Sequence, residues 1–97
     1  MIVHLVLFKF KPGVTAGDAR VAAVQAAMAA LPGQIPVIRL WEHGANLTPD
    51  AQAWDYGLRA GFASEADLHS YFAHPAHQPV LAQWDAIADL AFVDYAA

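Results

Sequence analysis

Ile2-Val3-His4-Leu5-Val6-Leu7-Phe8-Lys9-Phe10-Lys11 is the stretch that decides the fold. Its Val, Leu, Ile and Phe content reads as a β-strand. Side chains alternate across a strand, so Ile2, His4, Val6, Phe8 and Phe10 share one face and Val3, Leu5, Leu7 and Lys9 the other. Both faces are apolar for most of their length, and both therefore need cover. Pro12-Gly13 ends the strand with turn chemistry.

Outward from that strand, the next segments alternate in character. Thr15 with Asp18 three residues later is a capping-box-like start. The alanine-rich run to Leu31 has high helix propensity, with Val21, Val24, Met28 and Leu31 on one stripe and Pro32-Gly33 as the expected stop. Residues 36 to 43 read as a second strand, and 44 to 50 as a loop rich in turn residues. A third strand is expected from Trp54 to Phe62, where Gly57 and Gly61 on one face imply close packing. Ser64 and Asp67 open a second helix carrying Leu68, Tyr71 and Phe72. Helical spacing resumes through Val80, Leu81, Trp84 and Ile87, and residues 90 to 95 read as a last strand.

Strand, helix, strand, strand, helix, strand is the βαββαβ order of ferredoxin-like α+β domains with a four-stranded antiparallel sheet. Two helices can cover only one face of such a sheet, yet the first strand asks for cover on both. A second copy of the chain, packed sheet to sheet, supplies the missing cover and predicts a homodimer. Ninety-seven residues point to a single domain over residues 1–97. The 58% apolar content against 14% charged leaves little charge for the surface, which also favours a covered second face. A formal charge of -4 with five scattered basic residues excludes a nucleic-acid footprint. There is no cysteine, hence no disulfide or thiolate chemistry. The start has neither a basic leader nor a long apolar run, so no membrane association and a cytoplasmic location are expected.

Tyr71-Phe72-Ala73-His74-Pro75-Ala76-His77 concentrates the candidate chemistry. Pro75 disfavours helix at His74, so the chain should break there and set the rings of the corner toward a cavity. Imidazole titrates near neutrality, which makes His77 the sharpest candidate for a general base. Asp94 shares its strand face with Leu90 and Phe92; an inward carboxylate needs a partner, and a His77–Asp94 hydrogen bond is the expected one. Tyr71 is the candidate proton donor. The bland reading of the same residues is a polar pair tying the corner to the sheet, a core tyrosine and a satisfied core His4. His74 is expected to cap the helix end, and His43 and His69 to face solvent. His74, His77 and Asp94 would suffice for zinc or iron, but the intervening proline breaks the helix face such spacing needs, so no metal is expected.

His4-Leu5-Val6-Leu7-Phe8-Lys9-Phe10-Lys11-Pro12-Gly13, Trp41-Glu42-His43-Gly44-Ala45-Asn46-Leu47, the Tyr71-to-His77 run and Val93-Asp94-Tyr95 together resemble the stress-responsive A/B barrel (Dabb) family over nearly the whole chain. The resemblance implies a dimeric α+β barrel. A plant branch of that family resembles polyketide cyclases that work without a cofactor, with a histidine like His77 as base, a carboxylate like Asp94 orienting it, and residues like Tyr71 and His4 in the pocket. Arg20, Val21 and Val24 stand where that branch has cavity aromatics, so its substrate does not carry over. Some relatives hold a cation through backbone carbonyls near the end of the first helix, here around Met28 to Gln34, and no such site is predicted.

The reading is therefore a small-molecule binding protein of cyclase or lyase type. His77, Asp94 and Tyr71 are its candidate catalytic residues, with His4, Phe8 and Trp41 contacting a small apolar or phenolic ligand and no cofactor required. One alternative is a non-catalytic stress-responsive or structural dimer. Another is a cofactor-free monooxygenase of the same barrel shape, suggested by Asn46 and the tryptophans at 41, 54 and 84.

Overall fold

In the computed structural model, which describes residues 1–97, the order is β1 (Ile2–Phe10), α1 (Ala19–Gln34), β2 (Leu40–Ala45), β3 (Tyr56–Phe62), α2 (Glu65–Ala73), α3 (His77–Ile87) and β4 (Ala88–Ala96). The strands form one antiparallel sheet ordered β2-β3-β1-β4, the ferredoxin-like arrangement expected from the sequence. β1 is central and pairs on both sides. Its partner β4 lies end to end with it, from Ile2 opposite Ala96 to Phe10 opposite Ala88.

Several boundaries differ from expectation for identifiable reasons. The cap of α1 is Asp18, not Thr15: its carboxylate accepts the Arg20 backbone N–H at 2.9 Å. The Arg20 guanidinium also bonds it, and these contacts hold the Asp18 carboxyl down at about 2. The helix does not stop at Pro32 but runs one turn further, to Gln34. Pro32 has no N–H, which frees the Met28 carbonyl four residues back. The Trp41 indole N–H donates to that carbonyl at 3.0 Å, so the interruption costs no unsatisfied buried group. β2 starts at Leu40 because the chain turns just after the helix ends, and β3 starts at Tyr56 rather than Trp54. Asp55 closes that end: its N–H donates to the Phe8 carbonyl and its carboxylate accepts the Phe10 N–H at 2.7 Å. The second cap is as expected, with Ser64 Oγ accepting the Asp67 N–H.

The two faces of the sheet are treated differently. Val6 and Phe8 of β1, Leu58, Ala60 and Phe62 of β3, and the stripes of all three helices form one buried cluster. On the opposite face Leu7 is 44% exposed, and Val93 and Tyr95 of β4 are also open. Gly61 on that face is closely covered: a Cβ there would meet the Met1 sulfur at 2.5 Å and Leu40 Cβ at 2.8 Å. Gly57 has only ordinary contact, so close packing against the β3 glycines holds at one of the two positions.

Candidate functional site

α2 ends where Pro75 forbids helix at His74, whose backbone is extended at φ -66° and ψ 135°. The His74 ring Nδ1 accepts the Ala76 N–H at 3.0 Å and braces the corner itself, while the end of α2 is closed by the His74 backbone N–H, which donates to the Tyr71 carbonyl. α3 then begins at His77. Both helices bury residues against the inner face of the sheet, Leu68 and Tyr71 from α2 and Val80, Trp84 and Ile87 from α3.

Beneath that corner lies a cavity of about 370 Å³, within the size range of small-molecule sites. His4, Phe8 and Phe92 line it from the sheet, Tyr71 and Phe72 from α2, and His77 and Trp84 from α3. Of its 13 lining residues 11 are hydrophobic and none is an Asp, Glu, Lys or Arg, so the polar chemistry comes from two imidazoles and a phenol, with the Trp84 indole N–H buried and unpaired beside them. These three are neighbours: the Tyr71 ring centroid is 4.4 Å from that of His77 and 5.9 Å from that of His4.

The hydrogen bonding of the two imidazoles corrects one expectation. Asp94 does not pair with His77. It sits directly opposite His4 in the β1–β4 ladder, and its Oδ1 lies 2.5 Å from His4 Nδ1. Cross-strand partners on one face are close neighbours, whereas His77 stands on the helical layer. His77 Nδ1 instead donates to the Phe72 carbonyl at 3.2 Å, near the end of α2. A carbonyl can only accept, which puts the proton on Nδ1 and leaves Nε2, which has no protein partner, with its lone pair. Burial pushes the His77 imidazole below its usual value; the Phe72 carbonyl opposes this, while His4 and His74 reinforce it. Burial also raises the Tyr71 phenol far above its ordinary range, so it stays protonated, and its hydroxyl has no protein partner.

Phe8 lines the cavity, stacked on Trp84 at 3.9 Å between ring centroids. Trp41 does not. Its N–H is spent on Met28 and its ring packs behind Tyr71, so the expected ligand contact from Trp41 is corrected to a supporting one. His43 is half-buried rather than solvent-facing, with Nδ1 2.6 Å from the Tyr56 hydroxyl, and desolvation lowers its pKa. The Asn46 side chain is used on its own loop, bonding the Thr48 backbone in both directions, so the monooxygenase alternative loses its amide. No cluster of three or more His, Cys, Asp or Glu side chains is assembled that could hold a metal ion. His4–Asp94 is the pair that sequence reasoning missed. The signal was present: both lie on even-numbered faces of strands that the βαββαβ order makes antiparallel neighbours.

The stress responsive A/B barrel domain model matches residues 2–97. The chain belongs to the Dabb family. An uncharacterised protein of Streptomyces coelicolor is 39% identical over 95 residues, 98% of each chain. A dimeric ferredoxin-like protein of unknown function from Thermobifida fusca superposes with a TM-score of 0.88 at 30% identity, covering 99% of this Dabb chain and 90% of that one. The hydroxynitrile lyase of Passiflora edulis shares the fold, with a TM-score of 0.82 at 18% identity over 97% of this chain and 90% of its own. No helix of this Dabb protein is long and apolar enough to cross a membrane.

Proposed function

We propose that this Dabb protein is a homodimer that binds a small, mostly apolar molecule in the cavity and acts on it as a cofactor-independent enzyme of lyase or cyclase type. The carrying observation is the grouping of His4, Tyr71 and His77 on an apolar cavity of about 370 Å³. Homodimerisation is supported by the exposed Leu7, Val93 and Tyr95 face and by the dimeric Thermobifida relative; two such sheets facing each other make the barrel.

His77 is the proposed base. Its free Nε2 takes a proton from a carbon flanked by carbonyls, and the neutral Tyr71 hydroxyl donates to the enolate oxygen that forms. Burial disfavours a lasting charge on His77, so the proton is passed back to the product within the turnover, as an addition, elimination or aldol closure requires. His4 is the second polar group of the pocket, its Nδ1 anchored by Asp94, which fixes the ring and turns Nε2 away from the carboxylate. In this scheme Asp94 positions His4 and does not serve His77.

A second reading, a non-catalytic ligand-binding dimer, is favoured by the Phe72 carbonyl accepting from both His77 Nδ1 and the Gln78 side chain, which makes His77 a brace for the end of α2. The test needs no knowledge of the natural substrate. Exchange of the acidic C–H of an aryl 1,3-diketone in deuterated buffer, followed by NMR, should be accelerated by the wild-type protein and lost in His77→Gln with the dimer intact. Tyr71→Phe should slow it. Equal exchange with and without protein, together with a lowered melting temperature in His77→Gln, would leave the brace as the role of His77.

A further inference from the structure

We infer that the cavity selects neutral, mostly apolar molecules bearing a hydroxyl that donates a hydrogen bond, as phenols and enols do, over the same skeletons carrying an ether or an isolated carbonyl. This rests on the proposed reading of the cavity as a ligand site and narrows what the site takes. Unpaired donors and acceptors in the cavity set this preference. His77 Nδ1 faces the Phe72 carbonyl, so the proton is there and Nε2 is an acceptor. His4 Nδ1 faces a carboxylate, so it too carries a proton, and while that ring is neutral its Nε2 is a second acceptor. Tyr71 brings a hydroxyl with no protein partner, able to donate to a ligand oxygen.

A ligand O–H satisfies both sides at once, giving its proton to an imidazole and accepting from Tyr71. An ether or lone carbonyl satisfies only the tyrosine and leaves a desolvated imidazole nitrogen unpaired. No charged side chain lines the cavity, so an anionic ligand would enter without a counter-charge.

The experiment is a calorimetric titration at neutral pH of the wild-type protein with a naphthol and with its methyl ether, matched in ring and shape. The expected result is binding of the naphthol about tenfold or more tighter than the ether, with the preference lost in His77→Phe. Equal affinities in the wild type overturn the inference while leaving the cavity a ligand site; no binding of either compound overturns both. Nitrogen-15 NMR of labelled histidines provides a readout independent of any variant: His77 should show the Nδ1–H tautomer, and an Nε2–H tautomer overturns the inference.

Discussion

The two faces of the sheet are made from the same strands and similar residues, yet only one is finished within the chain. The inner face carries His4, Val6 and Phe8, all buried, beneath three helices. The outer face carries Leu5 and Leu7 of β1 and Val93 and Tyr95 of β4, and apart from the region under Met1 nothing in the chain lies over it. The difference teaches that apolar character alone does not say what covers a surface. On the inner side the cover comes from the chain's own helices and is imperfect, leaving a cavity beneath the proline corner. On the outer side the exposed apolar residues of β1 and β4 stand beside the Arg59–Glu42 ion pair, a mixed surface that leaves Leu7, Val93 and Tyr95 without cover from the chain.

The largest effect expected within this contrast is on the inner face. Phe8→Ala removes a ring that is 2% exposed and stacked on Trp84, and should cost about 3–5 kcal/mol in denaturant unfolding. A loss below about 1 kcal/mol would mean that the cavity, not the core, already surrounds that ring. On the outer face, Leu7→Asp should leave the protomer folded and weaken self-association by about a hundredfold, read by sedimentation across a concentration series. Unchanged association would show that the exposed face is not the interface.

Asp94→Asn should have the next effect. It replaces a carboxylate that anchors His4 by an amide, and loss of this charge-assisted bond should cost about 1–3 kcal/mol. The same change should leave His77 chemical shifts in place, since Asp94 does not reach that ring. The smallest effect concerns pH. His77 and His43 both titrate lower in the folded protein than the ordinary value of 6.5, through burial. In acid the unfolded chain therefore takes up protons first. The stability these groups contribute is present above that ordinary value and lost as pH falls below it toward the folded values. Melting temperatures should decline through that window, and His77→Gln should reduce the slope. A slope unaffected by the substitution would place the titrating group elsewhere.

Much of this was legible in the residues. Alternation in Ile2–Phe10 located the central strand, Ser64 and Asp67 marked the start of α2, and Pro75 marked its end, because each signal depends only on neighbours within a turn or a strand. The α1 boundary was less legible. Pro32 normally ends a helix, but a tryptophan from the next strand accommodates the freed carbonyl, and that contact spans 13 residues. The site divides in the same way. His4, Phe8, Tyr71 and His77 were recognisable as residue types and faces, while the partner of Asp94 left a signal only in face parity and strand order, and the register was needed to select His4 over the chemically equivalent His77.

What the sequence determined by itself was the identity and order of the elements, the faces they present and the kinds of proton-handling groups available, for these follow from local periodicity and residue chemistry. Tertiary structure alone decided which imidazole receives the carboxylate, which ring nitrogen carries each proton, and that space remains beneath the helix corner. Strand register brings residues 4 and 94 opposite each other across 90 positions of chain. A hydrogen bond, unlike a hydrophobic stripe, exists only when two atoms arrive within about 3 Å of one another.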